Sequence, residues 1–381
     1  MLQKCLDDFI SYCKTWKLNI NIEKTKVVVF GSRTNRNLNF KIENKEIEIT
    51  TGYKYLGTYF NRSGSFLTAR KHLVNQAKKA LHLLYRRIYN LQLPADLIFK
   101  LFDHTIMPIL TYSSEIWGYE DLKLIENVHC DFIRKVFHLR KSTPLYMLYA
   151  ESGRYPLEII IKTRMISYWN RLISENKNKY SFKVYNYMCN MTNFNSKWIN
   201  KIKSILNETG MSEFWLNQHA DQRQPVNYLK LKCRQNLIDQ NMQNWHATLQ
   251  NSNKGRNYSI FKTQIKLEDY ILKLNKSSYI SLLKFRTGNH FFPVETGRWN
   301  DIDYIDRTCT LCNLNDIGDE MHYLLICPHF HMDRKRHIKE YFYVRPNTLK
   351  YQQLLSTSSK NELIRLCKFV KILLNSIKNE R

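Results

Sequence analysis

Glycine and proline are scarce in this 381-residue chain, at eleven and eight residues. That scarcity excludes a collagen-like or linker-rich low-complexity protein and leaves long stretches free of helix breakers. No apolar run approaches the roughly 18 residues that a membrane-spanning helix needs, so no membrane partner is expected. The N-terminus runs straight from Met1 to Lys4 into an amphipathic stretch and lacks the form of a signal peptide. Acidic residues are also few: 33 Asp and Glu stand against 59 Lys and Arg, a net charge of +26. Such an excess repels itself unless a polyanion lies nearby, which makes nucleic acid the expected partner. The plainer reading is a generally Lys- and Asn-rich, solvated surface.

What is present is enough to fold. Hydrophobic residues make up 43% of the chain and aromatics 13%, which excludes intrinsic disorder as its general state. The nine cysteines are an odd number, and six of them (Cys5, Cys13, Cys130, Cys189, Cys233 and Cys367) are scattered through apolar or helical patterns. That usage fits a reducing, intracellular compartment. The expected fold is mainly α, with a small N-terminal α+β part and a small zinc-knuckle-like module near the C-terminus.

Periodicity places the elements. Leu2, Leu6, Phe9, Ile10, Cys13 and Trp16 recur at helical spacing over residues 1–16. Lys26–Phe30 reads as a strand, Asn39–Ile49 as a hairpin around Glu43-Asn44-Lys45, and Tyr53–Phe60 as a further strand. Helical periodicity takes over near Ser65. It runs from Phe66 to about Leu91, resumes after Pro94 through Leu110, and returns at Leu122–Phe137, Leu157–Ile173 and Asn361–Ile377. Residues 174–225 are rich in Asn and Lys around apolar anchors such as Tyr185 and Trp198. Asn251–Tyr258 is the linker candidate, Ile260–Phe285 reads as two short helices, and Gly288–Asp306 as irregular. The divisions expected are 1–64, 65–173, 174–300, 301–336 and 337–381.

The strongest local signal is Cys309, Cys312, His322 and Cys327, spaced C-x2-C-x9-H-x4-C. Three thiols and an imidazole within nineteen residues suit a tetrahedral Zn²⁺ site. Four protein ligands leave no open coordination position, so the expected role is structural. His329 and His331 lie close enough in sequence to replace His322.

The residues around these ligands carry a resemblance. Thr287-Gly288-Asn289-His290, Glu295-Thr296-Gly297-Arg298-Trp299, Arg307, Asp319-Glu320-Met321-His322, Cys327-Pro328 and Arg334 follow one another as in the region after the polymerase of LINE-type (non-LTR) retrotransposon reverse transcriptases. Upstream, Trp16–Lys26 resembles that family's "W.L.(V/I)N..KTK" palm segment, and Tyr53-Lys54-Tyr55-Leu56-Gly57 its "YLG" hairpin. Pro108–Gly118 resembles "P.L.Y..E.WG", and Glu151–Pro156 resembles "E.GRYP". The blocks stand in family order over residues 1 to about 336.

The resemblance implies the end of a palm at 1–64, a helical thumb at 65–173, a helical connector at 174–300, a CCHC zinc module at 301–336 and a helical tail at 337–381. It implies RNA and DNA, as hybrid or primer–template, as partners, and nucleus and cytoplasm as the parent element's compartments. The family's catalytic aspartates have no counterpart here: Asp7-Asp8 lies on a predicted helix, not in an "ADD" turn. Mg²⁺ chemistry is therefore expected only in a full-length parent carrying the N-terminal polymerase half, and this chain alone is expected to be inactive. Lys24 is the one residue with an implied catalytic ancestry, against a plain solvated lysine.

Candidate nucleic-acid contacts are Lys24, Tyr55, Leu56 and Gly57, then Arg70, Lys71, Lys78, Lys79, Arg86 and Arg87 on one acid-free helix, and Arg298, Lys335 and Arg336 beside the zinc ligands. Trp299 reads equally well as core, and His290 as structural. Two other readings stay open: a standalone basic zinc-dependent RNA/DNA-binding protein without catalysis, and a non-functional transposon relic.

Overall fold

The chain is described by a computed structural model over residues 1–31, 38–174, 177–190, 196–218 and 227–379. Its first helix, Leu2–Thr15, ends where Lys17 turns into the left-handed region at φ 53°. The helix docks on the next segment through Gln3, whose amide donates to the Lys41 carbonyl and accepts from the Lys41 N–H. Three two-stranded pairings follow. Lys26–Val28 runs parallel to Glu48–Thr50, and Lys41–Ile42 is antiparallel to Lys45–Glu46. The latter is the expected hairpin, closed by Glu43 and Asn44 at φ 47° and 65°, the backbone hand that favours tight hairpins.

The stretch expected as one strand over Tyr53–Phe60 is instead a hairpin, Gly52–Tyr55 against Thr58–Asn61. Leu56 and Gly57 both take positive φ there, so the chain reverses after Tyr55. Gly57 is required at the turn. A Cβ on it would stand 3.0 Å from the Tyr112 ring, whose hydroxyl donates to the Leu56 carbonyl at 2.7 Å.

Helices account for most of the rest, as expected of a mainly α chain. Leu67–Leu91, Lys123–Phe137, Leu157–Ser174, Lys197–Glu208, Tyr228–Asn251 and Lys360–Asn379 are the longer ones. No described helix is long and apolar enough to cross a membrane. One buried cluster runs from Leu73 and Phe102 through Phe132, Trp117 and Leu148 to Leu283, Tyr323, Leu366 and Leu373. A second gathers Trp169, Tyr185, Ile202, Ile205 and Cys233.

Three expectations change. Asn251–Tyr258 is no free linker: Tyr146 bonds to Ser252 Oγ and the Lys254 carbonyl at 2.8 and 2.7 Å, and Tyr258 is buried. Residues 258–286 form three short helices (Tyr258–Phe261, Asp269–Lys273 and Lys276–Arg286) where two were expected. The segment expected as irregular contains the helix Pro293–Trp299, where Pro at the helix start costs no hydrogen bond.

A polar knot ties these helices together. Glu151 is fully buried and pairs with Arg286 Nη2 at 3.1 Å and with the Tyr270 hydroxyl at 2.7 Å. Arg286 also donates to the Leu355 carbonyl, lies over the Phe261 ring at 4.3 Å and meets Glu268, which Lys262 neutralises. Burial alone would raise the Glu151 carboxyl, but Arg286 and Lys262 outweigh it and hold the group below its ordinary range. A carboxylate lowered in this way contributes stability above the unfolded carboxylate pKa, and the contribution is lost as pH falls through the folded one. Glu151→Ala leaves Arg286 uncompensated and is expected to lower stability at pH 7 by about 3–5 kcal/mol. Urea unfolding would measure this, with the difference from the unsubstituted chain shrinking as the solution is acidified.

Candidate metal centre

Two short segments build the site. Residues 307–318 fold back on themselves: Cys309 N–H donates to the Asp316 carbonyl and Gly318 N–H to the Arg307 carbonyl, both at 2.8 Å, around a Thr308–Ile317 bridge. This ribbon presents Cys309 and Cys312 on one corner, and the Leu311 N–H points at Cys309 Sγ at 3.4 Å. The other half is a wide helical turn, His322–Ile326, closed by the Cys327 N–H onto the His322 carbonyl at 2.7 Å. At α-helical winding, residues five apart lie about 140° apart around the axis. The wider i→i+5 winding brings His322 and Cys327 to the same side.

The four ligand atoms lie within 4.8 Å of one another, and the cluster could hold a metal ion. Cys309 Sγ and Cys327 Sγ are 3.9 Å apart, and Cys312 Sγ is 3.4 Å from His322 Nε2. Around a tetrahedral ion with metal–sulphur bonds of about 2.3 Å and metal–nitrogen bonds of about 2.0 Å, these edges come to roughly 3.8 and 3.5 Å. His322 therefore fills the fourth corner. His329 and His331 are exposed and turn their rings toward Phe330 and Tyr343.

The supporting residues fit the same purpose. His322 Nδ1 is buried without a hydrogen-bond partner and faces Asp316 Oδ2 at 3.5 Å, the place where a ligating imidazole needs an acceptor. Asp319 accepts the His322 N–H at 2.8 Å. Arg334, buried at 2% exposure, donates to the carbonyls of Leu324, Tyr323 and Cys327 at 2.8, 3.1 and 2.9 Å, so one guanidinium satisfies the end of the wide turn. The hydrogen bond between the two close thiols pulls Cys309 down to about 3 and pushes Cys327 up, and burial adds to the Cys327 rise. A thiolate is thus favoured at Cys309, and a thiolate is the metal-binding form.

The preceding blocks weld onto this centre. His290 bonds to Glu320 at 2.9 Å and stacks on Phe292 with centroids 4.0 Å apart. Asn257 donates to both Asp319 and Glu320 at 3.0 Å. His290 is structural, as expected. At Gly297 a Cβ would meet Arg307 Cγ at 2.5 Å, so only glycine lets that side chain lie across the helix. Trp299 is not core: it is 40% exposed, with Arg140 over its ring at 5.1 Å.

The other sequence candidates divide. Lys24 is exposed at the end of a single turn capped by Asn21, where Tyr53 OH bonds its carbonyl. Tyr55, Leu56 and Gly57 form the exposed hairpin tip. Lys71, Lys78, Lys79, Arg86 and Arg87 are exposed on the Leu67–Leu91 helix, and Lys335 and Arg336 are exposed beyond the cluster. Arg70 is a correction. It is 5% exposed, paired with Glu120 and bonded to the Asp121 carbonyl, so its charge is already matched inside. Arg298 is a second correction, half-buried and paired with Glu295 at 2.7 Å. Sequence reasoning assigned no role to Arg334 or Asp316. The legible signal was Asp319 three residues before His322, the spacing of a side-chain cap.

About one metal ion per purified chain is expected, falling toward zero in Cys312→Ser and unchanged in His329→Ala. Elemental analysis after gel filtration measures it. Retention of the ion in Cys312→Ser would refute the four-ligand assignment.

Comparison of the chain with protein families, with curated proteins and with solved structures finds no match.

Proposed function

We propose that this chain is the C-terminal, nucleic-acid-gripping portion of a LINE-type retrotransposon reverse transcriptase, held together by a structural zinc ion. Three thiolates and one imidazole around a tetrahedral, closed position suit Zn²⁺ better than the oxygen-seeking Mg²⁺. With no open position, the ion orders the fold and does no chemistry.

One observation carries the reading. The blocks that resemble the family are far apart in sequence, yet they meet through specific polar contacts. Tyr112 bonds the Leu56 carbonyl of the hairpin tip. Tyr53 donates from its hydroxyl to the Lys24 carbonyl at 3.0 Å. His290 bonds to Glu320 at 2.9 Å. Chance matches to short motifs have no reason to be mutual partners.

Charge supports the same conclusion. The outer face of Leu67–Leu91 presents Lys71, Lys78, Lys79 and Arg86 with no acidic residue in the helix, next to the hairpin tip. A rigid row of cations can follow a phosphate backbone, reading shape and not sequence. His72, on the same helix, packs on Tyr59 of the hairpin and lies 3.3 Å from Lys54 Nζ, and that lysine lowers its pKa further after burial does. It is neutral at pH 7, so the lysines set the charge of this face.

The chain is expected to bind an RNA–DNA hybrid with an affinity that falls steeply with salt. Lys78→Ala and Lys79→Ala should each flatten the log–log salt slope by about one unit and weaken all sequences alike. Fluorescence anisotropy between low and moderate salt measures it, and salt-independent binding would contradict the proposal. The chain by itself is expected to give no primer extension with Mg²⁺ or Mn²⁺. Template-dependent incorporation would overturn the assignment of the catalytic carboxylates to residues outside it.

A further inference from the structure

A groove of about 1160 Å³ opens on the far side of the Arg70–Glu120 pair, between the start of Leu67–Leu91 and the helices Leu157–Ser174, Tyr180–Asn190 and Lys197–Glu208. Its walls are aromatic: Phe66, Tyr119, Tyr168, Tyr180 and Trp198 line it. Phe66 meets Tyr119 edge-on at 6.3 Å and Tyr168 meets Trp198 edge-on at 6.0 Å, so some ring faces are not covered by another ring. Tyr180 is 86% exposed. No role in the metal centre or along the basic helix accounts for this concentration of rings.

The rim is cationic. Between residues 177 and 207 the sequence carries six lysines and no acid. Lys183 lies over the Tyr180 ring at 5.7 Å, Arg171 lies over Tyr168 at 5.1 Å, and Lys197 lines the groove. Two acids also line the groove, Glu120 and Asp121, with Glu120 already paired to Arg70. Their carboxylates repel phosphate from that part of the groove and leave it to the bases. Phosphates on the rim and bases directed inward are what this charge pattern selects.

We propose that this groove binds a single strand of nucleic acid, with unpaired bases stacked on Tyr180, Tyr168 and Trp198 and the backbone on Lys183, Lys197 and Arg171. A duplex does not fit the pattern, because its bases are already stacked and it offers only phosphates to aromatic walls. The proposal rests on the groove alone and does not depend on the hybrid-gripping face of Leu67–Leu91. The two surfaces share no residue: none of Lys71, Lys78, Lys79 and Arg86 lines the groove.

The test uses the full, metal-loaded chain with labelled oligo(dT) and oligo(rU) of equal length, beside an RNA–DNA hybrid. Tyr180→Ala should weaken single-strand binding roughly 5- to 150-fold, the range for losing one stacked base, and leave hybrid binding within about twofold. Tyr180→Phe should restore it, because the ring face is kept. Lys183→Gln should flatten the single-strand salt slope by up to one unit. Lys78→Ala with Lys79→Ala should show the reverse selectivity. The ratio between the dT and rU arms tells which strand chemistry the groove prefers. Unchanged single-strand affinity in both Tyr180→Ala and Lys183→Gln would overturn the proposal, as would equal loss for strand and hybrid. Thermal melting of each variant separates loss of the site from loss of the fold, and the high exposure of Tyr180 predicts no shift.

Discussion

A carboxylate removed from water needs a cation or several donors beside it, and this chain places many of its few acids in that position. Glu151 faces Arg286, Glu126 faces His129, Glu320 faces His290, Glu120 faces Arg70, and Glu295 faces Lys254 and Arg298. Each pair joins elements or fixes the start of one. The Glu126 group is typical: it accepts from His129, from Tyr149 and from the Leu157 N–H, while Arg154 donates to the other side of the same imidazole. Removing one partner from such a group costs more than the pair itself contributes, so these contacts enforce one arrangement. A consequence follows at the surface. Because those pairs remove arginines and lysines along with the acids, the excess of Lys and Arg over Asp and Glu stays outside, and the outer face of Leu67–Leu91 carries part of it.

The metal cluster belongs to the same logic. Arg334 satisfies three carbonyls of the turn that carries His322 and Cys327, and Asn257 and His290 hold the two acids that precede it. The ligands are thus set by a shell that reaches back to residue 257. An ion there would lock the junction between that shell and the C-terminal helix, against which Tyr323, Phe330 and Arg334 are packed.

The sequence disclosed what is local. The ligand set was legible because a C-x2-C turn and a nearby His and Cys describe a tetrahedron within one short segment. Leu67–Leu91, Lys123–Phe137, Leu157–Ser174 and Lys360–Asn379 were legible from apolar spacing, whereas Leu145–Ser152, Tyr180–Asn190, Lys197–Glu208 and Tyr228–Asn251 were not. Arg70 was misread because charge pattern along a helix does not tell which cation meets a distant acid, and Glu120 lies fifty residues from Arg70. At Arg298 the i,i+3 acid Glu295 was legible but its pairing went unread. Asn251–Tyr258 resembled a linker because its residues are polar, yet Tyr146, more than a hundred residues upstream, supplies its partners. Periodicity alone missed the break at Leu56-Gly57, because leucine at positive φ follows no propensity, although the likeness to a "YLG" hairpin pointed to it. Tyr112 pays for it by bonding the Leu56 carbonyl. The aromatic groove was illegible for a different reason: its rings come from five segments that only tertiary packing assembles.

The exterior of Leu67–Leu91 is the face proposed to meet a nucleic-acid backbone. Lysine acetylation footprinting read by mass spectrometry, with and without a saturating RNA–DNA hybrid, tests it directly. Lys71, Lys78 and Lys79 should lose reactivity on binding, while Lys100, exposed on the neighbouring helix and drawn toward Asp96, should not. Full reactivity of those three lysines in the bound state would contradict the account.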